Sequence, residues 1–440
     1  MNADRLPRAL RPFADPAFDL LTAALTMSLF GGGVWLVAMV AAVFAIGGGP
    51  ADLSIIATGN AAGMIVAVLL GGALADRFPQ QRVLLAVEAG RTVVIAAVIA
   101  LALAGGLSVW LLAAASVLLG LAEGLFYPSY TSLLPRILAP DRLLAANGIE
   151  GMVRPLAHDA LGPALGGVVI AASSPVAAFV LIGVTQLLAV GCLLAVRGVA
   201  PRPGGRPAGE GGAAAALLRD IGRGFGYVAR TPWLLWTLLY ACLVVLVLMG
   251  PLEVLVPFAV RDLAGGGTIE YSFVLTAFGV GGALGSIVTA SLRMPRRYLT
   301  VMNGIWVVSC VPLVVFGFTS QLWLMIAMAA VCGGLSQASM VIWGTLLQRR
   351  VPPELLGRVS SLDFFVSLVL MPVSMAIAGP VGEAVGLLPV FLVAGLAPVV
   401  FGVLAILIAR MPRDELAHPL ADTRIEEPTA STAIDPAIRG

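Results

Sequence analysis

The 440-residue chain contains no lysine, and all 26 of its basic residues are arginines. The absence of lysine excludes a nucleotide-binding G-x-x-x-x-G-K-[ST] loop and a lysine Schiff base from this chain. Histidine is nearly absent too, because only His158 and His418 occur, so no metal site is predicted. The formal net charge is only +2, which gives no electrostatic basis for binding nucleic acid.

Charged residues are also scarce, at 11% of the chain against 59% hydrophobic residues. A soluble domain has about a quarter of its residues charged. The apolar runs last ~20 residues or more, which is the length that a helix needs to span a membrane. The sequence therefore predicts an all-α membrane protein. The four cysteines lie within apolar runs and are interpreted as packing residues, namely Cys192, Cys242, Cys310 and Cys332.

The apolar runs predict twelve transmembrane helices, at residues 17–46, 51–75, 83–104, 108–130, 148–172, 175–196, 233–260, 270–292, 299–319, 321–345, 361–382 and 387–410. We divide the chain into a cytoplasmic N-terminal tail, a six-helix bundle, a cytoplasmic linker with an amphipathic helix, a second six-helix bundle and a disordered cytoplasmic tail, at residues 1–16, 17–197, 198–232, 233–410 and 411–440. The arginines between helices lie almost entirely on one side of these spans, since the opposite loops hold only Arg261. The positive-inside rule then predicts a multi-pass protein of the cell membrane with both termini in the cytoplasm.

The two halves of the chain share short sequence repeats. Gly71-Gly72-Ala73-Leu74 recurs as Gly281-Gly282-Ala283-Leu284, between equivalent spans. Ser132-Leu133-Leu134-Pro135-Arg136 is likewise echoed by Thr345-Leu346-Leu347-Gln348-Arg349. A 6+6 parallel repeat predicts a substrate site between the halves, near the middle of the membrane.

The stretch from Gly71 to Arg82 resembles the signature between helices 2 and 3 of the major facilitator superfamily, G-x-L-x-D-R-x-G-R-[RK]. Gly72, Leu74, Asp76 and Arg77 match it, whereas Pro79 and Gln80 depart from it. Five further segments resemble the macrolide and siderophore exporter branch of that superfamily, Leu133–Pro135, Leu143–Gly148, Gly162–Gly167, Asp220–Pro232 and Gly357–Val359. With these, the resemblance covers residues 17–410.

The resemblance implies twelve transmembrane helices in a pseudo-symmetric 6+6 bundle. It also implies a secondary active transporter that exports an amphipathic small molecule, such as a drug, macrolide or siderophore-like compound, by proton-coupled alternating access. The expected partners are that substrate, protons as the coupling ion and the lipid bilayer, with the chain acting as a monomer. No cofactor and no metal are expected.

Ionisable residues inside the membrane cost at least ~2.5–3.5 kcal/mol each, so each one is a candidate functional residue. Glu123 in helix 4 is our first candidate for binding a proton or a cationic substrate. A buried ion pair with Arg91 or Arg154 is the alternative. Arg91 has a closer candidate in Glu88, three residues earlier on the same helix, and we interpret that pair as structural.

Helix 5 carries Glu150, Arg154 and His158 at spacings of four residues, followed by Asp159 as the second candidate proton site. His158 and Asp159 are either a proton relay or a local hydrogen-bonded pair. The segment that follows resembles the antiporter motif of drug/proton exporters, at Gly162, Pro163, Gly166 and Gly167. A tight, kinked helix pair is the simpler explanation of these four residues.

Glu253, between two prolines of helix 7, joins Glu123, Asp159, His158 and Arg154 as a candidate for the proton/substrate cavity. It would act as a gate or a cation-attracting mouth, and a pair with Arg261 is the alternative. Helix 1 reads Ser28-Leu29-Phe30-Gly31 where this branch often carries an acid, which puts coupling through such an acid in doubt. The residues predicted to form a cytoplasmic gate are Gly72, Asp76, Arg77 and Arg82. We hypothesise that Asp76 faces the start of helix 11, near Ser360 and Ser361, where the helix dipole favours an anion.

Three alternatives stay open on the sequence alone. The first is an importer or symporter with the same fold, and the second is a facilitator without ion coupling. The third is a membrane sensor or assembly protein that does not transport. An enzyme is not expected, because no set of nucleophile, base and orienting residue is present.

Overall fold

The computed structural model describes residues 8–77, 79–197 and 225–420, and this part of the chain is helical, with no strand. Twelve helices within it are long and apolar enough to cross a membrane, which confirms the predicted number of spans. The helices of the first half are Pro16–Ala45 (α1), Pro50–Arg77 (α2), Gln80–Leu103 (α3), Val109–Ile137 (α4), the consecutive segments Pro140–Arg154, Pro155–Leu161 and Gly162–Ala172 (together α5), and Pro175–Ala195 (α6).

The last half repeats this arrangement. Its helices are the consecutive segments Pro232–Gly250, Pro251–Leu255 and Val256–Asp262 (together α7), Thr268–Ser291 (α8), Tyr298–Cys310 with Val311–Gly317 (α9), Leu322–Arg350 (α10), Pro353–Val369 with Met371–Val385 (α11), and Leu387–Ile408 (α12). A short helix, Met411–Ala417 (α13), follows. Prolines begin many of these helices because the first turn needs no backbone N–H donor.

The loops lie alternately at two ends of the bundle. The arginine-rich end contains residues 79, 138–139, 292–297 and 351–352, and the arginine-poor end contains residues 46–49, 104–108, 173–174, 263–267, 318–321 and 386. Tight turns with positive φ occur at the arginine-poor end, as at Gly386 between α11 and α12, where φ is 84°. Which end faces the cytoplasm stays a prediction from the arginine distribution.

Four helices, α4, α5, α10 and α11, extend five or more residues beyond one end of their predicted spans. Helix α4 continues to Ile137 and α11 begins at Pro353, because a helix can extend past the hydrocarbon core until proline or a capping residue ends it. Ser360 and Ser361 therefore lie inside α11, so the start of this helix was misplaced in our hypothesis about Asp76. Its first turn is at Pro353.

The predicted linker lies mostly outside the described residues, since 198–224 are not described. Residues 225–230, at the end of the predicted amphipathic helix, are helical. Phe225 is exposed and Val228 is buried, as an amphipathic pattern requires. The division of the chain into 1–16, 17–197, 198–232, 233–410 and 411–440 stays a prediction. Only the start of the last segment differs, because residues 411–417 form a helix.

Helix α13 lies within the tail that was predicted to be disordered from residue 411. Its Glu415 is 1% exposed and accepts hydrogen bonds from the backbone N–H groups of Leu299, at 2.9 Å, and Thr300, at 3.1 Å. The Thr300 hydroxyl donates a third bond, at 2.8 Å. These groups form the first turn of α9, so the carboxylate caps a helix whose N–H groups otherwise lack acceptors. The polar composition of the tail concealed this contact.

We expect Glu415→Ala to lower the stability of the last half by about 1–3 kcal/mol, the cost of leaving buried donors without an acceptor. The measurement is the thermal unfolding temperature of the purified protein in detergent. Leu416→Ala is the matched control. Leu416 is the next residue on α13 and is 64% exposed, so truncating its side chain should leave stability nearly unchanged. Equal unfolding temperatures for the two variants would show that the cap contributes nothing.

Candidate functional site

A cavity of about 290 Å³ lies between the two halves. The first half contributes ionisable, aromatic and methionine side chains, and the last half contributes a carboxyl group, a leucine and two methionines. The main lining residues are Trp35, Met39, Met64, Arg91, Glu123, Phe126, Tyr127, Arg154, His158, Glu253, Leu368, Met371 and Met375. The cavity therefore combines flexible apolar walls with a few charges, which suits an amphipathic small molecule.

Four ionisable side chains that the sequence singled out separately lie close together, three of them on the wall of this cavity and Asp159 on the wall of a smaller cavity beside it. His158 Nδ1 lies 2.7 Å from Asp159 Oδ1 on α5. Glu253 of α7 lies within electrostatic reach of both, and Glu123 of α4 is close enough to interact with His158 and Glu253. His158 and Glu253 also line a second cavity of about 110 Å³ beside the first. These four residues are called the acidic cluster below. Three of them come from the first half, and Glu253 comes from the last half.

Three of the four residues of the acidic cluster lie on two irregular helical segments. His158 and Asp159 lie in the π-helix Pro155–Leu161, and Glu253 lies in the π-helix Pro251–Leu255. Each segment begins with a proline, which lacks the N–H that a regular helix would use there. A π-turn is rare and is found mainly at functional sites, because it redirects side chains within an otherwise regular helix.

Glycines bring α1 and α5 into backbone contact beside the cluster. A Cβ atom on Gly33 would lie 2.2 Å from the carbonyl oxygen of His158, and one on Gly162 would lie 2.7 Å from the Cα of Gly33. In the same motif, Gly166 faces Val34, and a Cβ on Gly167 would collide with Ser272 of α8. The segment at Gly162, Pro163, Gly166 and Gly167 therefore packs α5 tightly against α1 and α8, and Pro163 lines the smaller cavity.

Glu123 makes no ion pair with any residue that the structure describes, so the predicted alternatives with Arg91 and Arg154 do not form. Arg154 instead lies over the ring of Tyr127, at 5.0 Å from its centroid. Arg91 pairs with Glu88 at 3.1 Å. The carboxyl group of Glu123 therefore lines the cavity without a paired arginine among the described residues.

The pair of Glu88 and Arg91 forms as predicted and includes a third residue. The Ser28 hydroxyl donates to Glu88 Oε1 at 2.7 Å and accepts a bond from Arg91 Nη1. Glu88 is fully buried, and Arg91 and Ser28 line the large cavity. Helix α1, which has no acid here, is linked through Ser28 to the buried acid of α3.

Glu253 does not pair with Arg261, contrary to one of the two interpretations. The Arg261 guanidinium bonds to Asp262 at 2.6 Å and lies over the rings of Phe44 and Phe258, 4.9 and 4.7 Å from their centroids. Glu253 lines both central cavities, which agrees with its place among the cavity candidates, and its role there stays a prediction. Sequence position indicated depth along α7 but not the direction of the side chain.

The residues of the predicted gate are only partly described. Gly72, Asp76 and Arg77 lie in the last turns of α2, but their side chains are outside the described part. Arg82 is exposed on α3 and lines a groove between α3 and α4. Gln80 accepts a hydrogen bond from Arg136, which links α3 to the end of α4. The gate as a whole stays a prediction.

The halves are joined on the arginine-poor side of the cavity. Hydrogen bonds cross between the halves from Ala51 to Glu383, from Gly379 to Ser54 and from Thr276 to Ala160. The rings of Phe44 and Phe258 also meet across the halves, 5.4 Å apart. All of these contacts lie between the acidic cluster and the arginine-poor end or beside the cluster itself.

Comparison with known proteins identifies the fold and the family. The model of the transmembrane secretion effector family matches residues 8–440. The chain is 28% identical over 411 residues to the multidrug efflux pump Tap of Mycolicibacterium fortuitum, which covers 91% of this chain and 98% of that protein. It is 25% identical over 360 residues to the enterobactin exporter EntS of Shigella boydii, covering 81% of this chain and 82% of that one.

Solved structures agree on the fold. The nucleoside transporter NupG matches with a TM-score of 0.66 at 10% identity, covering 91% of this chain and 99% of that one. A bacterial homologue of the human lysosomal transporter Spinster, in an inward-facing and unoccupied conformation, matches with a TM-score of 0.64 at 16% identity, covering 92% and 98%. Both the predicted twelve-helix fold and the predicted family resemblance are therefore confirmed. The chain belongs to the transmembrane secretion effector family of the major facilitator superfamily, and it is a multi-pass membrane transporter rather than an enzyme.

Proposed function

We propose that this transporter exports an amphipathic, cationic small molecule from the cytoplasm in exchange for protons, by alternating access. The observation that carries the proposal is the acidic cluster, because Glu123, His158 and Glu253 line the cavity between the halves and Asp159 lines the smaller cavity beside it. The names of two relatives, a multidrug efflux pump and an enterobactin exporter, support the outward direction.

The cavity supports the substrate class. Its volume of about 290 Å³ lies just below the ~300–1,000 Å³ range of small-molecule sites. Trp35 supplies an aromatic face, which attracts apolar rings and also cations, while one face of Phe126 and one of Tyr127 are already covered by Arg91 and Arg154. Met371 and Met375 supply flexible apolar contacts from the other half. Such walls accept molecules of varied shape, as long as each has an apolar body.

The carboxyl groups support the exchange for protons. Glu123, Asp159 and Glu253 repel one another when all three are ionised in a site that is shielded from bulk water. Binding of a proton or of an organic cation relieves this repulsion. Once either has bound, the cluster has less negative charge and its affinity for the other is lower. His158, bonded to Asp159, can hold a further proton. Competition between the two ligands for one cluster is what antiport requires.

The contacts between the halves support alternating access. In this conformation the halves are held together on the arginine-poor side of the cavity. The positive-inside rule predicts that the arginine-rich end faces the cytoplasm, and closure at the opposite end supports the interpretation of this conformation as the state that takes up a substrate for export. An importer of the same fold would use the same cavity, so direction rests on the relatives and must be measured.

Binding of tetraphenylphosphonium to the purified transporter in detergent tests the proposal. We expect its affinity to fall as the pH is lowered, and we expect binding to release protons into a weakly buffered solution. Titration calorimetry in two buffers of different ionisation enthalpy measures the protons released per cation bound. Binding without proton release would favour the uncoupled facilitator, and no binding across a panel of amphipathic cations would contradict the substrate class.

A further inference from the structure

We propose that Glu383 of α11 is a gate residue, which holds the arginine-poor end closed by capping the first turn of α2 in the opposite half. The inference rests on the proposed alternating access and adds to it a specific residue for one of its two closures. Glu383 lies near the end of an apolar helix and was not singled out from the sequence.

The central contact is a hydrogen bond between the halves. The backbone N–H of Ala51 donates to Glu383 Oε1 at 2.9 Å. Ala51 is the second residue of α2, and N–H groups of the first turn have no acceptor within their own helix. A carboxylate is favoured at this position because the helix dipole is positive there. Glu383 thus supplies to α2 what a capping residue normally supplies from the same chain segment.

The cap of α2 is shared between its own chain segment and the other half. Asp52 accepts a bond from the N–H of Gly49, at 2.9 Å, and so satisfies the donor just before the helix. Pro50 has no N–H, and the next donor, Ala51, is left for Glu383. A Cβ atom at Gly49 would lie 3.0 Å from Glu383 Oε1, so glycine leaves the approach of the carboxylate free.

A second contact fixes the register of α11 against α2. Gly379 lies four residues before Glu383, on the same face of α11. Its N–H donates to the hydroxyl of Ser54 at 2.8 Å, and a Cβ there would lie 2.2 Å from the carbonyl oxygen of Pro50. The two helices therefore meet backbone to backbone, and only this close approach lets Glu383 reach Ala51.

The geometry suits a contact that forms and breaks in each cycle. Its donor and acceptor lie on opposite halves, so any separation of the halves at this end breaks it. The side chain of Glu383 is exposed, so its charge returns to water at little cost when the contact opens. The closure is thus weak enough to reverse. A buried ion pair would cost more free energy to break, because it would leave an uncompensated buried charge.

The test measures the distance between the halves at the arginine-poor end. Spin labels are placed at Ile46 and Leu388, whose exposed side chains lie on opposite halves, after replacement of the four native cysteines. Electron–electron double resonance in lipid nanodiscs then reports closed and open populations. We expect Glu383→Ala to raise the open-to-closed ratio about two- to fivefold, which is the range that a charge at a helix N-terminus supports.

Glu270→Ala is the matched control. Glu270 accepts a bond from the N–H of Gly267 at 2.6 Å and so caps the first turn of α8, at the same end but within one half. Its loss removes the same kind of contact without affecting the joint between the halves, and we expect no change in the ratio. Glu383→Gln, which keeps an acceptor but not the charge, should give an intermediate ratio.

Two results would overturn the gate. One is an unchanged ratio in Glu383→Ala while the parent protein changes its distances with pH or with tetraphenylphosphonium. The other is an equal shift in Glu270→Ala, which would indicate a general loss of rigidity. A parent protein with one fixed distance under all conditions would instead contradict alternating access itself, and the gate with it.

Discussion

Glu253→Gln is expected to lower the initial rate of proton-driven uptake of an amphipathic cation into everted membrane vesicles by about 10- to 100-fold. The expected size corresponds to the loss of a charged hydrogen-bonding partner within the site, about 1.5–3 kcal/mol. Glutamine keeps the size of the side chain and one acceptor oxygen, so the change acts on charge and protonation rather than on packing.

The reason lies in the position of Glu253 between the halves. It is the acidic-cluster residue of the last half, and it faces His158 and Asp159 of the first half. It also lines both cavities at their common wall. Removing its charge therefore removes both the attraction for a cation and the site at which a proton replaces it. Glu123→Gln should reduce coupled uptake as well, because Glu123 has no ion pair among the described residues to hold it otherwise.

Asp19→Asn is a suitable control for the transport assay, since Asp19 is an exposed carboxyl in the first turn of α1 and lines neither central cavity. We expect at least half of the parent rate for that variant. Comparable rates for Glu253→Gln and the parent, at equal amounts of protein in the membrane, would show that Glu253 takes no part in coupled transport.

Gly279→Ala is expected to shift the transporter away from closure at the arginine-poor end, about 5- to 150-fold, and to slow transport accordingly. A Cβ atom at Gly279 of α8 would lie 2.4 Å from the carbonyl carbon and oxygen of Asp159 on α5. The clash is with backbone atoms of the other half, so a side-chain rotation cannot relieve it. Overpacking of this kind costs about 1–3 kcal/mol, which corresponds to the stated shift.

Gly281→Ala separates this effect from ordinary destabilisation. A Cβ there would lie 2.1 Å from the carbonyl oxygen of Ala330 on α10, which belongs to the same half as α8. That variant should unfold at a lower temperature without changing the ratio of open to closed distances between Ile46 and Leu388. Closure of the arginine-poor end in Gly279→Ala at the parent's ratio would contradict the arrangement of α5 against α8 described above.

Much of the fold could be predicted from the sequence, because hydrophobic runs of membrane length are a strong signal. The glycines at 162, 166 and 167 likewise indicated close helix packing, and the i,i+3 spacing of Glu88 and Arg91 indicated their pair. In each case the deciding interaction is local in sequence or follows from the properties of the membrane.

The acidic cluster could be predicted only in part. Glu123, His158, Asp159 and Glu253 were singled out because ionisable residues are costly in a membrane, but their meeting depends on which helices of opposite halves adjoin. Pro155 and Pro251 indicated a distortion, yet a proline alone does not specify a π-turn. These outcomes follow from tertiary packing, for which a single sequence has no local pattern.

Other functional candidates carried no sequence signal. Met371 and Met375 resemble any methionines of an apolar helix until the cavity wall is known. Glu383 resembles a carboxyl at a membrane surface, and only its contact with Ala51, more than 300 residues away, gives it a possible role. The opposite error occurred at residue 411, where polar composition suggested disorder but Glu415 docks against α9.

The most direct test of proton-coupled export is a measurement of proton movement in proteoliposomes. The purified transporter is reconstituted with a pH-sensitive dye in the lumen, and tetraphenylphosphonium is added without any imposed gradient. We predict that cation entry shifts the luminal pH upward as protons leave, and that Glu253→Gln abolishes this shift. Cation entry through the parent protein at an unchanged luminal pH would contradict the account.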